Sequence, residues 1–293
     1  MTQQVDSEMV QEKRGQTAVI FLHIPKTAGT TLLEILDRQY SPETIFSLGS
    51  IAQESIAQFE AMDEQERANI RLLRGHLAYG LHEYLPGPAQ YFTILRDPVA
   101  RVISHYNFIL RTPEHYLYDR VVEGNLSLYD LLQENYALML NDAQVRLVSG
   151  VWGDAPFGEV TLAMLETAKE NLTRSFPVVG LMEQFDKTVL LLKETFNWPA
   201  AITYHKRNVT KKGMTVDSLP PQTLARIKEV NRQDQALYEF GRELFKEQCA
   251  RQGPGFDLRV RYFQRVNQYG QPFQRLRTFS VRTKLKELVN GGE

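Results

Sequence analysis

Thr17 to His23 (TAVIFLH) is an unbroken apolar run, the pattern of a strand buried on both faces. A loop over Ile24 to Thr31 (IPKTAGTT) follows, and Leu32, Leu33, Ile35 and Leu36 then take the 3/4 spacing of a helix that begins near Gly29 or Thr30. The alternation continues along the chain. A short apolar stretch at Thr44 to Leu48 precedes a helical, acidic segment over Ile51 to Arg67, and Ile70 to Leu73 runs into Gly75-His76. Tyr91 to Leu95 (YFTIL) reads as another buried strand, stopped by Arg96-Asp97-Pro98 and followed by a helix from Val99 to Leu110. Leu126 to Gly150 predicts helix with a break near Asn141, Val160 to Leu172 a further helix, and Phe176 to Gly180 a last short strand before a helix over Glu183 to Phe196. Leu219 to Gln248 opens with Pro220-Pro221 and carries Leu224, Ile227, Val230, Leu237, Phe240 and Leu244 at amphipathic spacing, which predicts one long closing helix. Strands alternating with helices predict an α/β fold: a P-loop-like parallel sheet flanked by helices, with a helical insertion between about 111 and 175.

Composition narrows the class. With 293 residues, 43% hydrophobic and 24% charged, the chain falls outside the disordered and collagen-like ranges and is long enough for one large core. The expected organisation is a polar, flexible N-terminus at 1–16, a main domain at 17–250 and a basic C-terminal extension at 251–293. The extension holds nine Lys or Arg against three Asp or Glu (+6), leaving 25 against 32 (−7) in residues 1–250. It fits either a solvated extension or a segment that docks on an anionic partner or on the acidic body. The net charge of −1 excludes strong whole-molecule attraction to nucleic acid or anionic lipid, so no nucleic-acid partner is expected and any anion site is local. A single cysteine, Cys249, excludes an internal disulfide and suits a reducing compartment, and the six scattered histidines suggest no metal site. No run approaches the roughly 18 to 20 apolar residues of a membrane helix, and Met1 to Gln16 is polar where a signal peptide is apolar. A cytoplasmic protein without a membrane span is the expectation.

Two loops carry candidate chemistry. A helix N-terminus presents unpaired N–H groups and about half a positive charge, so a strand-loop-helix turn of small residues is suited to an anion. In Ile24 to Thr31, Ala28 and Gly29 permit close backbone approach, Thr30 and Thr31 add hydroxyl donors, and Lys26 supplies a mobile ammonium. A Walker A loop is absent, since the lysine precedes the glycine. Read alone, the loop also fits a purely structural turn. Arg96 stands at the carboxyl end of the YFTIL strand, where open α/β sheets place ligands, and Ser104 lies two turns into the following helix. A guanidinium and a hydroxyl there suit a second phosphate; a local Arg96-Asp97 ion pair with a surface Ser104 is the plainer alternative.

Taken together, HIPKTAGTT and TILRDPVARVISHY resemble the two nucleotide loops of sulfotransferases that use 3′-phosphoadenosine 5′-phosphosulfate, in particular the carbohydrate branch that includes heparan sulfate 2-O-sulfotransferase. The resemblance extends through RGHLAYG (74–80), NDAQVRLVSG (141–150), FPVVGLMEQFDKTVLLLKETF (176–196) and KRNVTKKG (206–213), covering roughly residues 17 to 248. It implies that Lys26, Thr27, Ala28, Gly29, Thr30 and Thr31 bind the 5′-phosphosulfate, and that Arg96 and Ser104 bind the 3′-phosphate. It implies His76 as the base that deprotonates an acceptor hydroxyl, with Lys26 assisting the leaving phosphate. An unperturbed imidazole, with pKa about 6.5, suits that duty. The relative named above has a second histidine where this chain has Arg74, which could instead meet an anionic acceptor. Arg207, Lys211 and Lys212 match a basic lid over the nucleotide, and Asn141, Gln144 and Arg146 match a helix near the acceptor; a solvated cluster and a structural role, respectively, stay open. His23 reads as a packed strand residue.

The implied reaction is in-line transfer of a sulfuryl group to a hydroxyl, with adenosine 3′,5′-bisphosphate as product and no metal. The acceptor, a carbohydrate, is carried by the resemblance alone. A P-loop-type nucleotide kinase is the alternative enzyme, although it needs Mg²⁺ and a Lys directly before Ser or Thr. A non-catalytic protein that binds an adenosine bisphosphate is the other.

Overall fold

The computed structural model describes residues 17–49, 52–204 and 213–268. Five strands, β1 (Ala18–Leu22), β2 (Ile45–Ser47), β3 (Leu72–Gly75), β4 (Ala89–Leu95) and β5 (Val178–Leu181), form one sheet in the order β2-β3-β1-β4-β5. Every adjacent pair is parallel, with Val19 opposite Leu72 on one side of β1 and Ile20 opposite Tyr91 on the other. Helices cover both faces, which is why all five residues of β1 are buried and why its sequence shows no alternation. Each fully buried Phe, Leu or Ile there contributes roughly 1.5–3 kcal/mol.

The helices are α1 (Gly29–Leu36), α2 (Ala52–Ala61), α3 (Glu64–Ala68), α4 (Pro98–Ile109), α5 (Tyr118–Val122), α6 (Leu128–Gln133), α7 (Ala143–Ser149), α8 (Leu162–Ser175), α9 (Phe185–Thr195), α10 (Pro221–Val230) and α11 (Arg232–Ala250). A further helix spans 256–268. The α/β architecture expected from the alternation is therefore present. Two apolar clusters hold it: one centred on the sheet, the other joining α4 to the inserted α5 and α6 and to α10.

Two expected helices are divided, each for a local reason. Ile51 to Arg67 breaks before Asp63, whose carboxylate accepts from the Glu66 amide (2.7 Å) while the Glu66 carboxylate accepts from the Asp63 amide (3.1 Å), a capping box that starts α3. The long closing helix breaks at Asn231. There the side-chain Nδ2 donates to the carbonyls of Leu140 (2.8 Å) and Ile227 (3.1 Å), and Oδ1 accepts from the Asp142 amide (3.0 Å). An amide side chain thus replaces the helical ladder and ties the α10–α11 joint to the start of α7. The break near Asn141 is as expected, with Asp142 in the left-handed conformation at φ 43°.

Beyond α11, the 256–268 helix packs on the body. Phe256 and Val260 are buried, Arg259 makes two hydrogen bonds to Glu194 (2.8 and 3.0 Å), and Lys187 pairs with Asp257 at 2.7 Å. Among the described residues no helix is long and apolar enough to cross a membrane.

Candidate active site

The β1–α1 loop is shaped by two non-glycine residues with positive φ, Lys26 (74°) and Ala28 (69°). Thr27 is buried, and its hydroxyl donates to the Ile24 carbonyl at 2.8 Å, so it stiffens the turn and leaves only its backbone for a ligand. Ala28 precedes α1 with no side-chain cap, and the first turn has no acidic residue, so nothing competes with an anion for those amides. Thr30 is exposed and Thr31 buried. Gly29 is required for a reason the sequence hides: a Cβ there would lie 1.7 Å from Nε2 of His23. The glycine makes room for a ring.

That ring organises the site. His23 stacks on Phe21 (5.1 Å) on one side and lies 4.3 Å from the ring of His76 on another. His76 follows β3, where Gly75 takes φ 147° and a Cβ would meet that of Leu48 at 2.7 Å, so the chain turns tightly against the end of β2. Nδ1 of His76 is 2.9 Å from the His23 carbonyl oxygen. A carbonyl only accepts, so Nδ1 carries the proton and the lone pair is on Nε2. Burial lowers the His76 pKa, opposed by that hydrogen bond and assisted by the charge of Lys26; His23 is lowered further, first by burial and then by His76 and Lys26. Both shifts favour the neutral ring, although His76 is exposed on one side.

Arg96 leaves the end of β4, and its Nη1 donates to the Lys26 carbonyl at 2.9 Å, so the two candidate loops meet. Its backbone is clamped by Gln144, whose Oε1 accepts from the Arg96 amide and whose Nε2 donates to the Arg96 carbonyl, both at 3.0 Å. Behind Gln144, the Asp234 carboxylate accepts from the amides of Gln144 (3.2 Å) and Val145 (2.8 Å) and faces the fully buried Arg101 at 3.6 Å. Asp97 does not pair with Arg96; it caps α4 through the Ala100 amide (2.9 Å), and its own amide donates to Glu183 (3.1 Å). Ser104 and Phe108 are one turn apart on α4, and Nζ of Lys26 lies 3.8 Å from the Phe108 ring centroid, which puts the Ser104 face toward the β1–α1 loop. Burial, then Arg111 and Arg96, push the Lys26 ammonium down to about 8. Lys26, Arg96 and Arg111 gather beside the N-terminus of α1, with Glu183 and Asp97 acting on Arg96 as counter-charges, an arrangement suited to an anion.

The other expected residues fall elsewhere. Arg74 pairs with Asp37 (2.6 Å) and donates to Ser47 (2.9 Å), tying β2, β3 and α1 together. Asn141, Gln144 and Arg146 are fully buried. Asn141 donates to the Val230 carbonyl and accepts from Gly158 and Arg146, while Arg146 also donates to the carbonyls of Ala155 and Pro156. Their polar groups face protein, not a surface open to an acceptor. Arg207, Lys211 and Lys212 lie outside the described residues. Sequence reasoning missed Phe108, although its spacing from Ser104 is visible in the sequence, and Asp234, which has no local signal.

The parallel sheet gathers a lysine loop, an arginine and a histidine at its carboxyl edge, where open α/β sheets place ligands. The chain belongs to the galactose-3-O-sulfotransferase family, whose model matches residues 2–282. It is similar to heparan-sulfate 6-O-sulfotransferase 1 of Homo sapiens (26% identical over 283 residues, 80% of this chain and 67% of that protein) and to heparan-sulfate 6-O-sulfotransferase 1-B of Danio rerio (26% over 282 residues, 80% and 68%). It is also similar to galactose-3-O-sulfotransferase 2 of Homo sapiens (25% over 257 residues, 81% and 63%). The protein is thus an enzyme of the carbohydrate sulfotransferase class, the branch that the motifs resembled, and these relatives carry 6-O and 3-O specificities in their names.

Proposed function

We propose that this enzyme transfers a sulfuryl group from 3′-phosphoadenosine 5′-phosphosulfate to a carbohydrate hydroxyl, with His76 as general base. The family membership supports that donor, and the residues present fit it: open α1 amides, Lys26, and Arg96 linked to the Lys26 carbonyl supply two adjacent cationic positions. The donor brings the activated sulfuryl group on a leaving phosphate. The α1 amides and Lys26 hold that phosphate and neutralise the charge it gains, while Arg96, with Ser104 on the facing turn of α4, takes the 3′-phosphate. His76 accepts the hydroxyl proton at Nε2.

The observation that carries the reading is the Nδ1 hydrogen bond of His76 to the His23 carbonyl. It fixes the tautomer that leaves a basic nitrogen beside the Lys26 loop. The test is isothermal titration with adenosine 3′,5′-bisphosphate beside 5′-AMP and ATP with Mg²⁺. Binding that requires the 3′-phosphate is expected; preference for ATP with Mg²⁺, or no binding, overturns the donor assignment.

A further inference from the structure

A file of rings runs outward from Lys26 into the helical insertion. Lys26 sits over Phe108, and His115 packs edge-on against Phe108 (5.7 Å) and against the buried His105 (5.5 Å). His115 then stacks on Tyr116 at 4.8 Å and 27°. Tyr136, in the same insertion, acts after burial to raise the Tyr116 phenol pKa. Tyr116 is 66% and Tyr136 56% exposed, so both present ring surface to solvent. An isolated exposed tyrosine needs no explanation. Tyr116 is held from behind by a ring stack that runs back to Lys26, and with the exposed Tyr136 of the same insertion it offers an apolar surface of the kind that marks a binding site.

The charges around these rings decide what they receive. The Arg120 guanidinium lies 5.3 Å from the Tyr136 centroid and is bonded to Glu134 at 2.8 Å. Arg111, the other cation of this rim, is also engaged. Aromatic faces are electronegative, whereas one face of a pyranose is a patch of electropositive C–H groups. We infer that Tyr116 and Tyr136 form the acceptor ledge, on which an uncharged pyranose stacks while its hydroxyl is presented to His76. This inference rests on the assignment of His76 and Lys26 as the reacting edge of the site.

Lactose, an uncharged galactoside, and a heparosan tetrasaccharide, a uronate-bearing polyanion, are the probes. Saturation-transfer NMR on the whole chain, with and without adenosine 3′,5′-bisphosphate, reads their binding directly. The expected result is saturation transfer to lactose in preference to heparosan, weakened about fivefold or more by Tyr116→Ala and by Tyr136→Ala and retained by Tyr116→Phe. Nucleotide affinity and thermal midpoint are expected to be unchanged in all three variants. Preference for heparosan, unchanged lactose binding in the alanine variants, or no lactose binding overturns the ledge. Failure of the nucleotide to bind overturns the donor assignment instead, and the nucleotide-free arm still decides the ledge.

Discussion

His76 and Lys26 are both pushed toward neutrality by burial among like charges, and this sets opposite limits on catalysis. A base must be unprotonated, so activity rises with pH through the lowered pKa of His76, below 6.5, and is complete near neutrality. A lysine that stabilises a leaving phosphate must be protonated, so kcat/KM falls again through the free-enzyme pKa of Lys26, at about 8. The profile of kcat/KM against pH is therefore expected to be a narrow bell, with the alkaline limb of kcat displaced upward because bound phosphates favour the ammonium. His76→Ala is expected to lower kcat by about 10²- to 10⁴-fold and leave affinity for adenosine 3′,5′-bisphosphate unchanged. An alkaline limb near 10 in kcat/KM would remove Lys26 from the role. Gly29 makes a second prediction at this scale. Gly29→Ala drives a Cβ into the His23 ring and is expected to weaken nucleotide binding, while His23→Ala on that background restores part of the loss. A strictly additive double variant in titration calorimetry would show that the two residues do not share the space.

At the scale of elements, the site depends on α7 holding the end of β4. Gln144 makes both backbone hydrogen bonds to Arg96, and Asp234 on α11 holds the amides of Gln144 and Val145. Gln144→Ala leaves the Arg96 amide and carbonyl without partners. It is expected to weaken adenosine 3′,5′-bisphosphate about tenfold by calorimetry, with 5′-AMP, which lacks the 3′-phosphate, little affected. Equal weakening of both ligands would mean a general loss of structure. This pairing also marks where sequence reading stops. The strands, the β1–α1 turn and the positions of Lys26, His76 and Arg96 at strand ends are legible because each depends on local period and local turn chemistry. Gln144 bonds a residue 48 positions away, and Asp234 one 90 positions from it, so no window along the chain contains both partners. Likewise, the sequence leaves Arg146 between an acceptor-side and a structural role, and it is buried because carbonyls of a later loop come back to meet it.

Across the whole molecule, the same burial that keeps the site neutral makes the fold sensitive to acid. His105 is completely buried, neither ring nitrogen has a partner, and burial followed by Arg101, His115, Lys26 and His76 holds its pKa well below 6.5. His23 and His76 are lowered too. In the unfolded chain all three take up protons as pH falls through 6.5 while the folded state does not, so stability is present above 6.5 and drains away below it. Asp142 and Asp234 act in the opposite sense, because burial raises their pKa values and acidification relieves the folded state. A single substitution separates the contributions. His105→Leu removes one excluded imidazole without touching the carboxylates, at a limiting rate of about 1.4 kcal/mol per pH unit below 6.5. Below pH 6.5 the variant is expected to gain stability on the parent as pH falls, read as a difference in thermal midpoint that widens with acidification. A constant difference across that range would mean that His105 already takes up a proton inside the fold.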